Sequence, residues 1–160
     1  MFKTRLISGI VLVLIALLTI CSGGIILFMT LLAVSLIGMQ ELYKVMKELE
    51  DSFTALEIAG YLGIIGYYLC LWFAPKFQLM ELLGSLVLIM FVYVFTYPKF
   101  HAEQIMAAMF GILYVGVMLS FIFQTRCREG GAVHVGLVFF SSWGCDTCAY
   151  CVGKLLGKHK

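Results

Sequence analysis

An all-α, polytopic transmembrane fold of about six helices follows from three features of this 160-residue sequence. Hydrophobic residues make up 62% and charged residues 12%, with a mean hydropathy of +1.04, so there are too few polar side chains to coat a soluble globule. The apolar residues fall into six runs, the later ones about 20 residues each, which is the length that crosses about 30 Å of hydrocarbon. The two prolines, Pro75 and Pro98, stand at run ends, and no run alternates polar with apolar positions as barrel strands do. The expectation is a single membrane domain over 1–160, with helices near 6–20, 25–48, 54–73, 78–97, 104–123 and 132–152.

The first run follows a short basic lead containing Lys3 and Arg5. It reads as an uncleaved membrane helix, because a lipoprotein cleavage site would place a small residue before Cys21, where Ile20 stands. Ser22-Gly23-Gly24 then supplies a tight turn. The second run passes without a breaker into a segment where Glu41, Lys44, Lys47 and Glu48 recur at helical spacing, the pattern of a helix leaving the bilayer with an ion-paired, solvated surface. Gly60, Gly63 and Gly66 give the third run a small-residue packing stripe; no strand precedes them, which argues against a phosphate loop. Ala74-Pro75-Lys76 closes that run, Pro98-Lys99 closes the fourth, and the polar stretch from Gln124 to Gly131 closes the fifth.

Basic residues set the orientation. With the N-terminus in the cytoplasm, Lys3, Arg5, Lys44, Lys47, Lys99, Lys154, Lys158 and Lys160 lie inside and Lys76, Arg126 and Arg128 outside, eight against three, with the two arginines as the dissent. The formal net charge of +2 gives no ground for a nucleic-acid partner. Glu57 and Glu81 stand near helix ends and read as carboxylates snorkelling to the interface, and His134 as an interfacial or packed histidine. Tyr61, Tyr67, Tyr68, Trp72, Tyr93 and Tyr97 read as packing or interfacial aromatics. Cys145, Cys148 and Cys151 are one thiolate short of a cluster or structural zinc site, and the other cysteines are scattered, so they read as free thiols.

The last run carries the functional signal. Asp146 lies within an otherwise hydrophobic stretch that ends in Lys154, Lys158, His159 and Lys160. An ionisable residue is expensive in that setting and marks a candidate site. Ser142, Asp146, Tyr150, Gly153 and Gly157 fall on one helical face, since steps of three and four residues return to nearly the same angle. A carboxylate can hold a divalent metal, and lysines beside bare glycine backbone can hold phosphates. An Mg-nucleotide needs both, so the pattern points to phosphate or nucleotide handling at the membrane face.

The residues Trp143-x2-Asp146-Thr147-x-Ala149-Tyr150-x2-Gly153-Lys154-x2-Gly157-Lys158-His159-Lys160 resemble the central motif of the bacterial phosphatidate cytidylyltransferases, the CDP-diacylglycerol synthases. The opening, with Arg5 and Ser8-Gly9 leading an apolar run, is similar to the family's start. The resemblance implies a multi-helix enzyme of the bacterial inner membrane that condenses CTP with phosphatidic acid to CDP-diacylglycerol and pyrophosphate. It implies Mg2+ as cofactor and leaves a homodimer open as the assembly. By the same resemblance Asp146 belongs to the metal and nucleotide cavity as the catalytic carboxylate, Thr147, Tyr150 and Gly153 shape it, and Lys154, Lys158 and His159 lie near phosphate. Members of the family continue past this motif into segments that carry more of the metal-binding carboxylates, so the chain is expected to hold part of a site and to be nearly inactive alone. Two alternatives stand beside this reading: a CTP-dependent polyprenol kinase, and a non-catalytic membrane partner.

Overall fold

The computed structural model describes residues 2–47 and 55–156. Among them every regular element is helical. Helix α1 is Phe2–Ser22, α2 Gly24–Lys47, α3 Ala55–Phe73, α4 Gln78–Phe95, α5 Ala102–Gly111, α6 Met118–Arg126 and α7 Gly131–Leu156. A 3₁₀ turn, Pro75–Phe77, joins α3 to α4, and a π-helical turn, Ile112–Val117, joins α5 to α6 without a break. Four stretches, Gly24–Val45, Ala55–Phe73, Pro75–Phe95 and Ala102–Arg126, are long and apolar enough to cross a membrane. The chain is an all-α membrane protein.

The helix ends follow from local chemistry. Only Gly23 separates α1 from α2, and Gly23 and Gly24 adopt positive φ of 62° and 52°, a region that other residues enter at a cost. Pro75 opens the 3₁₀ turn, where a missing N–H is harmless. His101 and Gln104 cap α5 reciprocally, the His101 N–H donating to Gln104 Oε1 at 2.9 Å, so α5 begins two residues before the expected 104. On the exposed end of α2, Lys44 Nζ and Glu41 Oε1 pair at 2.7 Å. Glu48 lies outside the described residues.

The chain resolves into two compact units: the described residues up to Gly24 together with those from Gln124 onward, and Ile25–Phe123. In the second unit α3 is the most enclosed span, half of it buried against 11% of α4. Apolar side chains gain little by leaving lipid for one another, so close backbone approach and buried hydrogen bonds must hold this unit. The glycine stripe of α3 supplies the approach. A Cβ on Gly60 would collide with the Tyr43 hydroxyl of α2, one on Gly63 would lie 2.7 Å from Ile112 Cδ1 and 2.9 Å from Ser85 Oγ, and one on Gly66 would lie 2.8 Å from Glu81 Oε1. From the other side, Gly116 of the π turn faces Ile64 and Gly111 faces Met39.

Hydroxyls form the second bond between helices. Ser35 Oγ and Tyr68 OH lie 2.9 Å apart, both fully buried, and Ser35 also donates to the Val115 carbonyl of the π turn at 3.3 Å. Tyr67 OH meets Ser120 Oγ at 3.2 Å, while Ser120 donates to the Val117 carbonyl at 2.7 Å. Hydroxyls from two helices thus serve carbonyls where the helical ladder widens, which is how a π turn is accommodated inside a membrane. Phe28, Trp72 and Phe123 close one end, with ring centroids 4.9, 5.3 and 6.0 Å apart. Removing one hydroxyl tests how much these bonds carry. Tyr68→Phe leaves Ser35 its carbonyl acceptor, so the expected loss is about 0.6 kcal/mol, the usual size of an interhelical bond in a membrane, read as a small drop in unfolding midpoint in detergent.

Two carboxylates depart from the snorkelling expectation. Glu57 is only 6% exposed; it stands in the first turn of α3, where the helix dipole favours negative charge. Glu81 turns inward: its Oε1 accepts from Ser85, one turn deeper, at 2.8 Å and presses on Gly66.

The first unit is fastened by an arginine. Arg126 Nε donates to the Ile20 carbonyl at 2.9 Å and Nη2 to Cys21 at 3.4 Å, a cation on the last carbonyls of α1, where the dipole is negative. Charged donors are worth about 1.5–3 kcal/mol each. Arg126→Gln should therefore fray the end of α1, seen as faster amide exchange at residues 19–22 with α3 unchanged.

Candidate functional site

Helix α7 carries the candidate residues, and its start is fixed by backbone. Gly130, at φ 67°, lets the chain reverse, and its carbonyl receives the N–H groups of Val133 and His134 at 2.9 and 3.2 Å. His134 Nδ1 also lies 3.0 Å from that carbonyl, so His134 is a capping group of the loop. Gly131 is crowded by the carbonyls of Thr125 and Arg126, which leaves no room for a side chain. Gly131 and Val135 are the buried positions of this turn. Gly144 through Tyr150, and Val152 and Gly153 after them, are exposed.

The site face stands on this exposed part. Asp146, Tyr150 and Gly153 follow one another along it at helical spacing with Ser142 one turn before, all exposed, and a Cβ on Gly153 would meet nothing within 4 Å. Asp146 makes no ion pair among the described residues. Thr147 Oγ1 donates back to the Trp143 carbonyl at 2.7 Å, so its hydroxyl has only lone pairs left to offer. Trp143 is held edge to face by Phe139, centroids 5.3 Å apart. Cys145 and Cys148 are free and exposed. Lys154 lies on α7, while Lys158 and His159 lie outside the described residues.

Among the described residues no group of three His, Cys, Asp or Glu side chains could close around a metal. One exposed carboxylate is nonetheless the donor set that Mg2+ uses when waters and substrate phosphates complete its octahedron. Asp146 fits that role and leaves the other positions open. The structure therefore brings Ser142, Asp146, Tyr150 and Gly153 to one face. The buried hydroxyl pairs of the second unit went unread in the sequence, because their partners are 33 and 53 residues apart and share no local period.

Fold and site together define a polytopic all-α membrane protein whose last described helix presents one exposed carboxylate on a face shared with hydroxyls and a glycine. A family model described as the cytidylyltransferase family matches residues 3–160, and the chain belongs to that family. It is similar to the phosphatidate cytidylyltransferase of Staphylococcus saprophyticus, 24% identical over 165 residues, 99% of this chain and 60% of the relative. The phosphatidate cytidylyltransferases of Staphylococcus epidermidis and Staphylococcus aureus are 27% and 24% identical, with the same coverage. The chain thus spans about 60% of the length of these curated relatives. No solved structure matches it.

Proposed function

We propose that the chain forms part of an enzyme that transfers the cytidylyl group of CTP to phosphatidic acid, releasing CDP-diacylglycerol and pyrophosphate. The observation that carries this reading is the family match over residues 3–160, on a chain whose one carboxylate of that motif stands exposed. In the reaction an oxygen of the phosphatidate monoester attacks the α-phosphorus of CTP, a new phosphoanhydride bond forms, and the bond to the β-phosphate breaks. Asp146 would hold Mg2+, which on binding offsets charge on the transferring and leaving phosphates. Lys154, Lys158 and His159 would add positive charge on the pyrophosphate side. Tyr150 and Gly153 would border the nucleotide, with Gly153 giving access to bare backbone. Thr147 would accept a hydrogen bond, since its proton is engaged with Trp143. The same reading places the protein in a bacterial inner membrane with its N-terminus and the end of α7 on the cytoplasmic side, where CTP is found, and with a homodimer as the assembly.

The test follows label in membranes carrying the gene product. With CTP labelled at the α-phosphate, a chloroform-soluble product should form only when phosphatidic acid and Mg2+ are present. Label entering lipid from the γ-phosphate instead would overturn the reading in favour of a lipid kinase.

A further inference from the structure

Cys145 and Cys148 enclose two residues in the chain, and those two are Asp146 and Thr147. We propose that Cys145 and Cys148 form a dithiol modification site, oxidised by a low-molecular-weight disulfide, whose closure deforms the helical turn that presents Asp146. The effect on the site rests on the function proposed above; the dithiol assignment does not.

Three observations carry it. Both thiols are free and exposed, although a cysteine is among the residues most often buried as a small apolar group. They stand three residues apart on one helix, so their Cβ atoms are about 5–6 Å from each other. A disulfide needs about 3.5–4.5 Å, so closure tightens the turn by about 1–2 Å. Finally, what opposes that movement is chiefly the helix's own backbone ladder. Gly144 through Tyr150 are all exposed, and a Cβ on Gly144 would meet nothing within 4 Å. The local tether is the Thr147 bond to the Trp143 carbonyl, which the tightened turn would strain. A disulfide closed against helical geometry is easily reduced, the property of a regulatory rather than a structural bridge.

The chemistry balances with one small disulfide as oxidant. One cysteine sulfur attacks a sulfur of oxidised glutathione, forming a mixed disulfide and releasing one glutathione, which takes up the cysteine's proton. The second cysteine sulfur displaces the other glutathione in the same manner. Two protein thiols become one disulfide, and one small disulfide becomes two thiols.

The experiment equilibrates the full gene product in detergent with glutathione buffers of increasing oxidised fraction, quenches with acid, alkylates the remaining thiols, and maps peptides by mass spectrometry. A Cys145–Cys148 linkage that rises with oxidised fraction and disappears with dithiothreitol is expected, and Cys148→Ser should abolish it. Alkylation of both thiols throughout, glutathione adducts alone, or a Cys148–Cys151 linkage would each overturn the assignment. In parallel, transfer of α-label from CTP to lipid should fall at least tenfold on oxidation in the wild type and stay unchanged in Cys148→Ser. Linkage with unchanged transfer would overturn the coupling to the site. Absence of transfer in the fully reduced protein would overturn the proposed function and leave the dithiol assignment standing on its own readout.

Discussion

Asp146→Asn should lower phosphatidate-dependent transfer from CTP by about 10²–10³-fold, equivalent to about 3–4 kcal/mol, the usual range for removing one preorganised electrostatic group from a polar active site. Asparagine keeps the size and one acceptor oxygen of the aspartate, so charge is what the substitution removes. Because Asp146 is exposed and forms no ion pair among the described residues, its replacement should shift stability by no more than about 0.5 kcal/mol. The measurement is initial rate against Mg2+ concentration beside a thermal unfolding curve in the same detergent. A normal rate at every Mg2+ concentration would remove Asp146 from the chemistry. A rate recovered by excess Mg2+ would instead assign it to metal affinity alone.

The second large effect lies in packing. Gly60→Val should destabilise the unit formed by Ile25–Phe123 by about 1–3 kcal/mol, the cost of forcing extra methyl groups into a filled space. The new Cβ would collide with the Tyr43 hydroxyl, and the ring that carries it cannot easily swing away, being buried and held edge to face by Tyr61 at 5.7 Å. Gly84 is the matched control. It lies on α4, where an added Cβ meets nothing within 4 Å, so Gly84→Ala should be neutral or stabilising, as glycine inside a helix costs about 0.5–1 kcal/mol relative to alanine. Unfolding midpoints of the two variants in one detergent give the comparison. Equal midpoints would show that α2 and α3 do not depend on close approach at Gly60.

Such collisions explain why a membrane unit of this kind spends glycine where a soluble one would spend leucine. The aqueous hydrophobic effect rewards any apolar contact, whereas lipid is as apolar as the side chains themselves. What remains is contact made close by small residues and hydrogen bonds that have no water to compete with. Gly63 against Ile112, Gly116 against Ile64, and Ser35 on Tyr68 are instances of each. The π turn joins the two devices, since its glycine faces α3 and its carbonyls receive hydroxyls.

The sequence by itself determined the helical membrane class, the break at Gly23, the small-residue role of the α3 glycines and the face of α7 that holds Ser142, Asp146, Tyr150 and Gly153. These depend on local rules: run length, backbone freedom and a period of 3.6 residues, all readable within one helix. Only the tertiary structure decided that Glu57 is buried, that Glu81 accepts a hydrogen bond from Ser85, and that Tyr67 and Tyr68 are hydrogen-bonded core residues more than belt aromatics. It also showed that Cys145 and Cys148 are exposed among the described residues. The periodicity of a helix says which residues share a face. Which face meets which neighbour is settled by contacts between segments 33 or 53 residues apart, and nothing in the local pattern encodes that choice.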